Sequence, residues 1–275
     1  MTQVFSKNDL EILIATKNRE NLDFLALMFP YEHFSKFNIL VINQSTSSVL
    51  ISTFETVRVI NVNETGLSKS RNLAIKNASK KICLIADDDL IYFSNFDIGI
   101  IAAFNQNSDV SIITFNHQRE TLNKPQNRSQ KISNHTLKTI WNVSSIEIAF
   151  QVKDIEENNL NFDENFGLGS YFETAEEYLF LRDAIMIRLR ALFYPLTIAS
   201  HPLISSGENQ GEDKILFARA ALLYKTKANL AYIWLIKYVF FLVRKSYIKG
   251  NEFMIKFKMG LSGIRKYKEL VKIKQ

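Results

Sequence analysis

A single cysteine, Cys83, stands among 275 residues, which rules out an intrachain disulfide and favours a reducing compartment over a secreted, stapled fold. A bilayer-spanning run is missing too. The apolar and aromatic stretch from Ala228 to Val243 has 16 residues and is broken by Lys237, short of the ~20 that a membrane helix needs. The N-terminus carries no charged-then-apolar signal segment, and no internal repeat is visible. Asn63, Asn77 and Asn142 each open an Asn-x-Ser/Thr triplet. In a chain so rich in Asn such triplets arise by chance, and without a secretory signal they carry no meaning. Basic residues are plentiful, but they alternate with bulky aliphatics and no nucleic-acid motif accompanies them, so nucleic acid is not expected as a partner.

With 47% hydrophobic and 12% aromatic residues, the chain has ample material for a large core. Its most informative run is Ile82-Cys83-Leu84-Ile85-Ala86-Asp87-Asp88-Asp89. Five mostly apolar residues empty into three carboxylates, the pattern of a strand buried on both faces whose acids emerge at its carboxyl end. Open α/β sheets bind ligands at that edge. Adjacent carboxylates repel one another, and a divalent cation with a taste for hard oxygen ligands, Mg²⁺ or Mn²⁺, is the usual compensation. A solvated acidic turn is the plainer alternative.

The flanking segments favour the site. Leu10 to Ile14 reads as a first strand, running into the polar turn Ala15-Thr16-Lys17-Asn18-Arg19 and a helix from Asn21 to Phe29. A second strand, Asn38 to Ile42, ends at Asn43-Gln44-Ser45, and Val57 to Ile60 forms a third. Next, Gly66 supplies a turn and Ser68 an N-cap for a helix that carries Arg71 and Asn72 in its first turns. This order of elements predicts a nucleotide-binding α/β fold. The polar stretch from Asn116 to Asn142 reads as a long loop beside the site.

The residues resemble glycosyltransferase family 2, enzymes of the GT-A type. The resemblance runs over most of Leu10 to Gly207 and rests on five pieces in order. They are Ala15 to Arg19, Gly66-Leu67-Ser68-Lys69-Ser70-Arg71-Asn72, Asp87-Asp88-Asp89, Phe162 to Gly169, and Ala175-Glu176-Glu177-Tyr178-Leu179-Phe180. It implies an open mixed sheet flanked by helices, a nucleotide-sugar donor (a UDP-sugar first), and Mn²⁺ or Mg²⁺ at an Asp-x-Asp element. Inversion at the anomeric carbon would usually follow.

Carried over by position, Thr16 and Asn18 would line the nucleotide pocket and Arg71 would stand near the diphosphate. Asp89 would ligate the metal, Asp87 would lie nearer the ribose or sugar, and Asp88 would flank them. Glu177 would be the base and Glu176 its partner. Here the sequence departs from the commoner Glu-Asp pair, although Glu can do the same work. Where many relatives bond the base with an Asp, this chain has Asn43, a neutral amide. His201 is carried over as a metal or diphosphate ligand, against the alternative of a plain loop histidine. His33, His117 and His135 have no such context.

Other readings stay open at this point. A nucleotidyltransferase would show a Gly-rich phosphate loop, and the turn from Ala15 to Arg19 has no glycine. A non-catalytic scaffold that keeps the fold is the alternative from outside the enzymes.

Charge marks the boundary of a C-terminal region. From Asp213 to Gln275 there are fifteen Lys or Arg and three acids, a net of +12 against +6 for the whole chain, so the first 212 residues are net −6. We therefore expect a GT-A catalytic domain over 1–212, its donor-binding half about 1–95 and its acceptor-side half about 96–212, and a helical extension over 213–275. Aromatics beside snorkelling lysines suit a helix lying in an anionic membrane surface. Packing on the catalytic domain, or in a homodimer interface, is the alternative. The combined expectation is a cytoplasmic, membrane-peripheral glycosyltransferase that acts on a glycan or lipid-linked acceptor of a bacterial surface polysaccharide.

Overall fold

The computed structural model of the chain describes residues 4–119, 130–201 and 211–273. Two compact units emerge, Met1–Asp163 with Glu177–Leu203, and Glu164–Glu176 with Ile204–Gln275.

The first unit is built on one mixed sheet. Its strands are β1 (Leu10–Lys17), β2 (Asn38–Gln44), β3 (Val57–Val62), β4 (Ile82–Asp87), β5 (Ile91–Tyr92), β6 (Ile112–Arg119), β7 (Ser133–Asn134), β8 (Ile148–Gln151) and β9 (Ala191–His201). They lie in the order β3-β2-β1-β4-β8-β6-β9-β5, with β7 paired to β9. β1 to β4 are mutually parallel, β8 runs antiparallel to both β4 and β6, and β6 is parallel to β9. The carboxyl ends of β1, β2, β4, β6 and β9 therefore share one edge. β8 begins at that same edge.

The strand sequences explain the order. Ile82 to Ala86 of β4 are all fully buried, which is why they run apolar without alternation. Cys83 is inside this strand, and burial raises its thiol pKa well above the ordinary value, so it stays a protonated packing residue. One face is sealed by stacked rings that tie α1 (Asp23–Met28) to α3 (Phe96–Gln106) through β5: Phe29 on Tyr92 at 5.2 Å and Tyr92 on Phe96 at 4.2 Å. At the opposite, amino edge, the buried Glu11 accepts from Arg58 at 2.8 Å and from the Ser79 amide at 2.6 Å.

Two local expectations are corrected. α2 (Leu67–Lys76) takes Gly66, not Ser68, as its N-cap. Gly66 has φ of 121°, a conformation that suits glycine, and Ser68 is buried inside the first turn. The expected loop over 116–142 is partly ordered structure: β6 continues to Arg119, β7 follows, and a 3-10 turn spans Thr139–Asn142. Residues 120–129 lie outside the described residues. A second 3-10 turn, Ser145–Glu147, leads into β8, and α4 (Val152–Glu157) and α5 (Glu176–Met186) complete the helices that enter this unit.

The second unit contains α6 (Asp213–Lys227), α7 (Leu230–Arg244) and α8 (Phe253–Ile273) around a core that includes Leu216, Leu235, Val239, Leu242 and Ile264. A β-carbon added at Gly263 would stand 2.2 Å from the Phe217 carbonyl oxygen. Glycine is thus what lets α8 approach the α6 backbone. The segment 164–176 joins this core through Phe172, whose ring lies 5.4 Å from Phe217. α7 divides the apolar stretch noted in the sequence. Leu235, Tyr238 and Leu242 are buried, whereas Leu230, Ile233 and Phe240 are exposed. Among the described residues no helix is long and apolar enough to cross a membrane.

Candidate functional site

Three carboxylates leave the carboxyl end of β4, and each meets a different partner. Asp87 accepts from Arg71 Nη2 at 3.0 Å. Asp88 accepts from Arg19 through Nε at 2.8 Å and Nη2 at 2.7 Å, and its Oδ2 also accepts a hydrogen bond from the Thr16 hydroxyl. Asp89 is the most exposed of the three, with its Oδ1 3.5 Å from His201 Nε2. Burial raises the Asp89 pKa, His201 lowers it, and the charges of Asp87 and Asp88 raise it further. A cation beside Asp89 would relieve that crowding.

The turn after β1 is pinned from below. Asn43 is fully buried, accepts from the Arg19 amide at 3.1 Å, and donates to the Arg19 carbonyl and to Asn61 Oδ1, both at 3.0 Å. Its amide is committed to holding the turn, whereas the sequence suggested it would face a nucleotide base. Asn18 sits exposed at the tip with φ of 55°, its amide donating to the Gln44 carbonyl. Asn tolerates this left-handed conformation better than most residues.

Arg71 is 2% exposed, so it reaches the acids from inside. Besides Asp87 it bonds Ser145 Oγ at 2.8 Å, and its guanidinium lies 5.5 Å from the centroid of the Phe162 ring. Phe162 in turn stacks on Phe180 of α5 at 4.3 Å. Phe180 follows Glu177 by three residues, on the same helix face. A continuous path of contacts thus links Asp87 to α5 at Phe180, one turn past its start. At that start Glu176 is buried and Glu177 is partly exposed.

The sequence reading missed several contributors. Arg19 closes the turn motif after β1, and the sequence alone assigns it no role. His117 and Glu147 form a buried pair, Nδ1 to Oε1 at 2.7 Å, at the same sheet edge. The His117 ring lies 6.4 Å from that of His201. No spacing signal relates residues thirty positions apart, but β6 and the turn before β8 bring them together. Nearby, His135 Nε2 meets Thr114 Oγ1 at 2.7 Å and Nδ1 meets Thr139 Oγ1 at 3.1 Å.

Among the described residues, no cluster of three or more His, Cys, Asp and Glu side chains is arranged to hold a metal. Asp87 and Asp88 are engaged by arginines, and Asp89 and His201 lie together as a two-residue donor set. That set fits a cation of the Mg²⁺ or Mn²⁺ kind, which commonly takes one or two protein ligands and completes its shell with phosphate oxygens and water.

The comparisons agree with this architecture. The sequence profile described as "Glycosyl transferase family 2" matches residues 11–159, more than half of the chain. The chain belongs to this family, which disfavours the nucleotidyltransferase alternative. Among solved structures it is similar to S. aureus TarS, at 17% identity and a TM-score of 0.54, covering 89% of this chain and 45% of that one. The chain thus spans less than half the length of that structure. It is also similar to TarS 1–349 in complex with UDP (14% identity, TM-score 0.53) and with UDP-GlcNAc (14%, 0.51), in each case covering 97% of this chain and 92% of the other. The shared fold is GT-A. No curated protein gives a significant match.

The His135 cluster makes a test of pH. Burial, opposed by the Glu147 charge, lowers its pKa from 6.5 to about 4. Between those values the unfolded chain binds a proton that the native chain does not. His135 therefore contributes stability fully present above about 6.5 and lost as pH falls through about 4. The amount is on the order of 3 kcal/mol at most. Denaturant titrations at several pH values should show this acid loss in the native chain and a smaller one in His135→Asn; equal losses would assign it elsewhere.

Proposed function

We propose that the chain transfers a sugar, with inversion, from a nucleotide-sugar donor, a UDP-sugar first, to a hydroxyl of a glycan or lipid-linked glycan. The reading rests on one observation above others: Asp87, Asp88 and Asp89 meet Arg71, Arg19 and His201 at the carboxyl edge of a GT-A sheet. UDP and UDP-GlcNAc in the TarS structures support the choice of donor.

In this scheme the Thr16 to Arg19 turn lines the donor pocket, and Arg71 and Arg19 hold Asp87 and Asp88 in fixed rotamers. Asp89 and His201 would hold Mn²⁺ or Mg²⁺. A bound cation would offset the charge on the departing diphosphate. Glu177 takes the proton of the acceptor hydroxyl as its oxygen forms a bond to the anomeric carbon. The bond from that carbon to the phosphate oxygen breaks, and the nucleoside diphosphate leaves with the electron pair. Glu176, buried at the first position of α5, holds the helix start. The family supports Glu177 as base, as does the ladder Asp87, Arg71, Phe162, Phe180 that ties its helix to the acids.

The cellular setting is part of the same proposal: a cytoplasmic enzyme held at the inner face of a bacterial membrane, extending a surface polysaccharide. Leu230, Ile233, Lys237, Phe240 and Arg244 of α7 are all exposed. Spaced three and four residues apart, they form one face. An apolar face punctuated by cations, in a region of net charge +12, complements an anionic bilayer surface.

Two measurements test these assignments. Glu177→Gln should bind UDP as the native chain does and lose transfer by about 10²-fold or more; native-rate transfer would remove Glu177 from the base role. Leu230→Gln with Ile233→Gln and Phe240→Gln should keep the native circular dichroism but no longer sediment with phosphatidylglycerol vesicles. Undiminished sedimentation would place membrane attachment elsewhere.

A further inference from the structure

Trp141 is a large apolar side chain left 48% exposed. One face of the indole stacks on Tyr178, with centroids 4.0 Å apart and planes 24° from parallel. Tyr178 is only 7% exposed and serves as the floor. The open area of Trp141 is therefore its other face and its edges.

The ring stands in a rigid mount. Ile140 beside it is fully buried. Thr139, which opens the same 3-10 turn, bonds His135, whose second nitrogen bonds Thr114 on β6 and whose amide donates to the Ala191 carbonyl on β9 at 2.8 Å. Exposed surface tryptophans usually keep rotamer freedom. This one is held by stacking and by a turn anchored to two strands.

Its location ties it to the chemistry. Tyr178 follows Glu177 directly, so their α-carbons are about 3.8 Å apart. Four residues after Trp141, Ser145 bonds the Arg71 that grips Asp87.

We propose that the open face of Trp141, backed by Tyr178, is a stacking platform for a pyranose ring of the acceptor. This rests on the glycosyltransferase reading above and deepens it, by making the acceptor terminus a cyclic sugar. A pyranose presents a patch of C–H groups, made slightly positive by neighbouring oxygens, on one ring face. The π-cloud of indole is negative over its face, so the two attract while water is excluded from both. An acyclic polyol has no fixed face and gains little from a flat platform. The rigid mount means that little ordering of the protein is needed on binding.

The test uses the full chain with ¹⁵N-labelled tryptophan. Its two tryptophans, Trp141 and Trp234, give two indole N–H resonances, assigned by Trp141→Phe. Methyl β-glucopyranoside, methyl β-galactopyranoside, methyl N-acetyl-β-glucosaminide and ribitol are titrated separately. At least one pyranoside should shift the Trp141 resonance saturably while ribitol leaves it in place. Saturation-transfer measurements should show that pyranoside bound about tenfold more weakly by Trp141→Ala, with Trp141→Phe intermediate. UDP titrated into the same samples reads the donor reading independently, and its affinity should not depend on Trp141. A Trp141 resonance unmoved by every pyranoside, equal movement by ribitol, or unchanged pyranoside binding by Trp141→Ala would each overturn the platform. Failure of UDP to bind while pyranosides still bind at Trp141 would instead overturn the donor assignment.

Discussion

Three carboxylates in succession at the end of a fully buried strand form an electrostatic problem that the first unit is arranged to solve. Neighbouring negative charges at the mouth of a low-dielectric sheet cannot all stay ionised without partners. Partners arrive from three separate elements: Arg19 from the turn after β1, Arg71 from α2 and His201 from the end of β9. Each partner brings dependants. Arg19 needs its turn held by Asn43, and Arg71 needs Ser145 and the Phe162 ring. The mixed topology serves this arrangement, because reversing β8 alone returns β6 and β9 to the edge where β4 ends.

The division of labour among the acids follows from which partner each one has. Arginine is charged at any working pH and bonds in a fixed fork. Asp87 and Asp88 are therefore neutralised and oriented by the protein itself. Among the described residues Asp89 meets His201 at 3.5 Å, and burial and its two neighbours raise its pKa. It is the member of the cluster that the proposed reading assigns to an added cation. The buried His117 and Glu147 pair lies beside His201, with the two histidine rings 6.4 Å apart.

Much of this was legible in the sequence where a feature is local. An apolar run ending in acids gave β4 and its edge, and the Gly66 turn gave the start of α2 to within two residues. Contacts made across the sheet were not legible. Nothing in the spacing of His117, His135, Trp141 and Glu147 announces that β6, β9 and two short 3-10 turns gather them. Asn43 shows the same limit: a polar residue at a strand end looks available, yet the turn after β1 and Asn61 on β3 take up its side-chain amide. The apolar tail was ambiguous because one helix does two things, burying Leu235, Tyr238 and Leu242 and exposing Leu230, Ile233 and Phe240.

The central claim is that Asp89, and not its arginine-bound neighbours, is reserved for a cation that brings in the diphosphate. Calorimetric titration of UDP with and without Mn²⁺, on the native chain, Asp89→Ala and Asp88→Ala, addresses it most directly. The account predicts Mn²⁺-dependent binding that Asp89→Ala abolishes and Asp88→Ala weakens but retains. Binding by Asp89→Ala with its Mn²⁺ dependence intact, or native binding indifferent to the metal, would contradict it.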